Sequence, residues 1–287
     1  MKLLLLLAVL IASPLVSAQP TDLPLQGRIW SVESATFISR EALFDRLPAG
    51  GWLLLGEQHD HPEHHRIQTE WIEALADRQK LGAVALEMAD HSQQAYLDAA
   101  RGKGGRITPE ALQWQTGWPW AMYGEVVTTA LNRAPAVAAT DLTRDEQRQA
   151  YREGAPEGDL GNDHADFMRD LLFESHCSQM PRNALDGMRQ VQLARDQQMA
   201  QVLRRYTDAT RTGVMLTGGI HARHDLGIPR WLSGPVVSVL MVSADDGDDP
   251  TAYLPDGLPD YRVTDYLLFT SVLPDKDYCA GFEDKQD

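Results

Sequence analysis

Short apolar runs closed by glycine or a carboxylate alternate along this chain with longer stretches whose apolar residues recur at helical spacing. Residues 52–55, Trp-Leu-Leu-Leu, form the first well-marked run, which stops at Gly56 and gives way to Glu57, Gln58, His59, Asp60 and His61. Ile67, Trp71, Ala74 and Leu75 then fall at i, i+4, i+7 and i+8, the stripe of an amphipathic helix whose first turn accommodates Pro62 and whose Glu63, Glu70 and Glu73 face water. His61, His64 and His65 read as the solvated polar start of that helix. Residues 83–88 are a continuous apolar run of the sort a parallel sheet buries on both faces, interrupted near its end by Glu87, and they read as the partner strand of 52–55. Further strands are expected at 135–139, 214–217, 236–242 and 266–270. One or two edge strands fall within 27–38, and a short helix covers 41–47.

Between the early and late strands lies a mainly helical insertion, about 91–206. Thr108-Pro109-Glu110 should open one of its helices, and Trp114, Trp118 and Trp120 crowd near Gly117 and Pro119. These tryptophans read as the aromatic anchor of a helical lid, with a flat-ligand pocket as the sharper alternative. Thr143 and Glu146 have the spacing of a capping box for a helix through Tyr151 and Arg152. Residues 154–161 and 245–260 read as loops, and two longer helices cover 164–176 and 183–206. The pattern predicts an α/β fold, a mostly parallel central sheet flanked by helices, with the insertion as a cap and residues 19–287 as a single domain.

The length, 287 residues, and the composition, 43% hydrophobic and 23% charged, suffice for a buried core. The net charge of −15 excludes electrostatic attraction to nucleic acid or an anionic membrane. Met1-Lys2, a leucine-rich core and Val16-Ser17-Ala18 have the form of a secretory signal covering 1–18. With no cysteine at the cleavage point and no later run of transmembrane length, the expected location is the periplasm or the exterior. In such an oxidising compartment Cys177 and Cys279 read as a bonded pair.

The candidate chemistry sits where strands end. Gly56-x-x-His59 and Gly218-x-x-His221 each close a strand, and Glu87 closes a third. Glycine lets the backbone approach a ligand closely, histidine supplies a neutral ligand or a base, and glutamate a hard oxygen ligand or a base. If the strands are parallel neighbours, Glu57, His59, Glu87 and His221 share one crevice beyond their carboxyl ends. His59, Glu87 and His221 are then candidate ligands for a divalent metal, or catalytic groups of a hydrolase.

Five stretches carry a family resemblance: LLGEQHDHPEHHRIQ from Leu54, ALEM from Ala85, HC-x-x-MP from His176, QLARDQQMA from Gln192 and GGIHARHDLGIPRWL from Gly218. In these the chain resembles the ChaN-like branch of the haem-binding uptake, Tiki superfamily. The resemblance implies an α/β fold with a helical cap, export to the cell envelope, and a part in haem or iron uptake beside other uptake components. It implies a homodimer with haem at its interface, tyrosine on iron and basic side chains on the propionates. No motif fixes the tyrosine, and Tyr123 and Tyr151 are both candidates. Carried over residue by residue, the superfamily motifs give His59, Glu87 and His221, flanked by Glu57 and Arg223. They leave a metal- or base-assisted hydrolase as the alternative to a haem carrier.

Overall fold

A computed structural model describes residues 25–104, 107–274 and 276–280; the expected signal segment, 1–18, lies outside the described residues. Eight strands form one sheet in the order β2-β1-β8-β7-β3-β6-β4-β5. They are β1 (Ile29–Ser31), β2 (Thr36–Ile38), β3 (Trp52–Glu57), β4 (Leu81–Asp90), β5 (Val137–Asp141), β6 (Thr212–Gly218), β7 (Val236–Ser243) and β8 (Tyr266–Thr270). From β8 to β5 every pairing is parallel, and only the edge strands β1 and β2 run antiparallel.

Strand side chains alternate between two buried faces. Leu53, Leu55, Val84, Leu86, Val214 and Leu216 pack on one face against α2 (Pro62–Asp77) and α4 (Trp120–Arg133), which contribute Ile67, Trp71, Ile72, Leu75, Val126 and Leu131. On the other face Trp52, Leu54, Ala85 and Met215 meet Met199, Val202 and Leu203 of the long helix α7 (Arg182–Tyr206). Each such leucine, fully removed from water, contributes on the order of 1.5–3 kcal/mol. The remaining helices are α1 (Arg40–Arg46), α3 (Gln94–Ala100), α5 (Arg144–Glu153), α6 (Asn162–Ser175) and the single turn α8 (Gly219–Ala222).

Three expectations are corrected. β3 and β4 are not partners, because β6 lies between them and pairs with both. Their apolar runs carry no register signal of their own. Register comes instead from Gly213, opposite Trp52, where an added Cβ would sit 2.5 Å from the indole. No helix opens at Thr108: the stretch to Pro119 is a series of turns, with Gln113 left-handed at φ 50° and Trp114 Nε1 donating to Trp118 O, and α4 begins only at Trp120. The tryptophans therefore anchor a loop.

His61, His64 and His65 are buried, not solvated. The start of α2 is tucked against the end of β8: His61 Nε2 donates to Ser271 O (2.8 Å), and His64 Nε2 donates to Thr270 Oγ1 (3.0 Å) while its Nδ1 accepts from the Gln58 amide. Without a proton on Nδ1 and deep in the core, His64 is pushed down to about 3, chiefly by burial and then by neighbouring His61. Cys177, just past α6, is bonded to Cys279 with Cα atoms 5.7 Å apart, as expected. The capping box of α5 also forms as read, Thr143 and Glu146 bonding reciprocally.

Candidate functional site

β3, β6 and β4 are adjacent and parallel, so their carboxyl ends deliver Glu57, Gly218 and Glu87 to one edge of the sheet. Together with His59, just beyond β3, and His221, on α8 just beyond β6, they line a cleft of 510 Å³ whose far wall is Met168, Leu172, Ser175 and His176 of and just beyond α6. Glycine is required at 218: an added Cβ would lie 2.9 Å from His59 Nε2. The same holds at 56, where a Cβ would press on Leu240 and Ala222.

The floor of the cleft is a chain of alternating charges. Glu57 is sealed in the interior, where its Oε2 accepts from Gln68 Nε2 (2.6 Å) and its Oε1 from Tyr123 (2.8 Å) and from His59 Nδ1 (2.9 Å). Burial works against its charge, but the bond from His59 and the nearby His65 ring, 3.5 Å away, prevail and hold the carboxyl below the usual range. Glu87 is equally buried; its Oε2 accepts from Thr217 Oγ1 and the Gly218 amide, both at 2.6 Å, and its Oε1 from Arg195 (2.7 Å). Against the cost of burial, His221, Arg195 and His59 keep it strongly acidic. His221 donates Nδ1–H to Asp196 (2.7 Å) and accepts at Nε2 from Arg195 (3.2 Å). Arg195 completes the set by gripping Asp141 through two bonds, of 2.9 and 3.0 Å.

Burial lowers the basicity of both cleft histidines, but carboxylate partners raise it by more: Glu57 and Glu87 for His59, Asp196 and Glu87 for His221. His59 is the accessible member, its side chain 42% exposed against 6% for His221. With Nδ1–H committed to Glu57, its Nε2 is presented to the cleft as an oriented acceptor or, protonated, as a donor.

The structure brings Glu57, His59, Glu87 and His221 together at one cleft, as the sequence suggests. Among the described residues no group of three or more His, Cys, Asp or Glu side chains is arranged to hold a metal. The Arg195 guanidinium, within hydrogen-bond reach of both Glu87 and His221, supplies the cation where a divalent ion would have to sit. Arg223 is not at the cleft lining. It is buried in a two-pronged pair with Asp225 (2.9 and 2.6 Å), donates to Asp256 O and lies over the Phe167 ring, so it ties the segment after α8 to the 245–260 loop and to α6.

The two tyrosines part company. Tyr123 is 1% exposed, and burial together with Glu57 pushes its ionisation far upward. Tyr151 is 44% exposed on α5 and lines a separate hollow of 440 Å³ with Arg144, Gln147, Arg148 and Val191, between α5 and α7. Its ring lies flat on the α7 backbone at Gly187, where an added Cβ would come within 2.6 Å of it.

Arg195, Asp196 and Asp141 were not singled out in the sequence. The signals existed: Asp196 falls three residues from both Leu193 and Met199, on the buried stripe of α7, and Asp141 closes β5 as Glu87 nearly closes β4.

The family described as haem-binding uptake, Tiki superfamily, ChaN matches residues 43–232. Among solved structures, one of cofacial haem binding to ChaN of Campylobacter jejuni aligns with a TM-score of 0.68 and 25% identity, covering 84% of this chain and 95% of that one. An erythromycin esterase mutant, EreC in its open conformation, aligns at 0.46 and 14% identity over 71% of this chain and 72% of its own. RRSP, a toxin effector domain from Vibrio vulnificus, aligns at 0.40 and 18% identity over 66% of this chain and 33% of its own. No curated protein matches the chain.

Proposed function

Since this chain belongs to the ChaN family of the haem-binding uptake, Tiki superfamily, we propose that it is an exported haem carrier of haem or iron uptake and that it holds the porphyrin at the Tyr151 hollow, beneath a second copy of itself. The observation that carries the assignment is the contrast between the two tyrosines. The Tyr123 hydroxyl is spent on Glu57 and on His59 O in the core, whereas the Tyr151 hydroxyl stands in an open hollow with one long contact, 3.4 Å to Ala184 O.

The surroundings of Tyr151 suit the ligand. Val191 offers apolar surface, and Arg144 and Arg148 stand at successive turns of α5, where they can meet two propionates. Arg148 pairs with Asp145, but 65% of its side chain is exposed, so exchanging one exposed carboxylate for another costs little. When bound, haem iron on a phenolate oxygen is suited to carriage and release of ferric haem. An open hollow covers only part of a porphyrin, and a second subunit would cover the rest.

Titration of the mature protein with haemin, followed in the Soret region, tests the reading. Tyr151→Phe should abolish the ferric phenolate spectrum, and His59→Ala should leave it intact. Retention of the spectrum by Tyr151→Phe would remove the assignment.

A further inference from the structure

The segment that follows β8 does more than end the chain. Its root is fixed at the start of α2, where Glu63 accepts from the Ser271 amide (2.8 Å) and hydroxyl (2.6 Å). It then crosses the loop between β3 and α2: Lys276 Nζ reaches Asp60 (2.8 Å), and the Tyr278 hydroxyl donates to Asp60 (2.9 Å) and accepts from Gln58 Nε2 (3.1 Å). The next residue, Cys279, is bonded to Cys177. Gln58 lines the cleft from the β3 side, and His176, beside Cys177, lines it from the α6 side. Two consecutive residues of the tail thus grip two different rims of the same cleft, one by hydrogen bonds and the other covalently.

The two grips are unequal. The bonds to Asp60 and Gln58 are made by exposed groups, with Lys276 60% and Tyr278 55% exposed, and contacts of that kind are weak. They cannot hold an exposed segment in place unaided against the conformational freedom it would regain. On the α6 side the chain is held against its own preference: Cys177 and Ser178 are both left-handed, at φ 60° and 56°, a conformation that non-glycine residues disfavour.

We propose that the Cys177–Cys279 bond makes the tail a redox-released strap over the mouth of the strand-end cleft: oxidised, it joins the two rims; reduced, it frees the tail and lets the turn after α6 relax. The reductant is a dithiol. One of its thiolates attacks a sulfur of the bond, its second sulfur closes on the first, and two electrons and two protons leave Cys177 and Cys279 as separate thiols and the dithiol as a disulfide. The inference concerns the cleft and is independent of where haem binds.

The test measures the rate at which diethyl pyrocarbonate modifies individual histidines, read by peptide mass spectrometry, in oxidised protein and in protein reduced with dithiothreitol and desalted anaerobically. His59 and His91 make a matched pair, 42% and 43% exposed, one in the cleft and one remote from it. Reduction should raise the rates at His59 and His221 several-fold and leave His91 and the core residue His164 unchanged; Cys279→Ser should behave like the reduced protein, and trypsin should cut after Lys276 faster in both. Lys276→Ala with the bond intact should keep the oxidised rates. Unchanged rates at His59 and His221 on reduction overturn the proposal. So does acceleration at His164 as well, or loss of far-ultraviolet ellipticity, since the bond would then be holding the fold. A rise in Lys276→Ala equal to that on reduction would show that the salt bridge, not the disulfide, is the latch.

Discussion

The cleft at the strand ends and the hollow between α5 and α7 are opposite solutions to placing polar groups. In the cleft nearly every charge is buried and answered: Glu57 by His59, Gln68 and Tyr123, Glu87 by Arg195, Thr217 and the Gly218 amide, His221 by Asp196 and Arg195. In the hollow the polar groups are exposed and loosely engaged, Tyr151 through one long contact and Arg148 through a surface pair. A saturated network resists a new ligand because binding must first break bonds that burial has made strong, whereas loosely held groups trade water for ligand at small cost. The two regions therefore differ in how much hydrogen-bonding capacity they leave unspent for a ligand.

Arg195→Met tests this contrast most severely. It strips the shared cation from Glu87, Asp141 and His221 and should destabilise the protein by about 3–5 kcal/mol, read from urea unfolding. The folded fraction should still give the wild-type haem spectrum; a lost Soret band in protein shown to be folded would break the separation of the two regions. Tyr123→Phe removes one bond to a buried carboxylate and should cost roughly 1.5–3 kcal/mol, again with the Soret band unchanged.

The effect of His64 appears only against pH. Its folded value, about 3, lies below its ordinary 6.5, so the unfolded chain binds the extra proton in that window. Stability should therefore fall as pH drops from about 6.5 toward 3, with a slope of at most about 1.4 kcal/mol per pH unit from this group. His59 and His221, raised by their carboxylates, act in the opposite sense, adding stability at low pH that is lost as pH rises through their folded values. The difference between unfolding curves of wild type and His64→Asn at each pH isolates the His64 contribution. Parallel curves from pH 6.5 to 5 would mean that His64 takes up its proton in the folded protein as readily as in the unfolded chain.

Much of this was legible in the sequence, for reasons that differ from place to place. Apolar runs closed by glycine located β3 and β6, and the same rule put Glu87 beside them, because a carboxylate in a buried strand needs partners wherever that strand lies. The pairing of strands was not legible, since an apolar run buried on both faces says nothing of its neighbours, and β6 took the place expected of β4. His61, His64 and His65 misled because histidine beside glutamate at a helix start looks solvated, whereas a later segment, Thr270 and Ser271, covers it. Arg195 was hidden for a similar reason: its three partners stand on β4, β5 and α8, and no local spacing announces a meeting of four elements.

The position of β6 also dictates when the sheet can be completed. β3 and β4 are joined only through β6, with Trp52 of β3 opposite Gly213 and Leu81 of β4 opposite Thr212. Until that late strand arrives, β3 and β4 have no route to one another and leave the middle of the sheet as two unpaired apolar edges. Such non-local closure is slow, because the loop entropy is lost before any contact repays it, and open apolar edges are what chaperones capture and what aggregates grow from. A chain ended before residue 212 would lack the strand that joins β3 to β4 and would leave both of their facing apolar edges open.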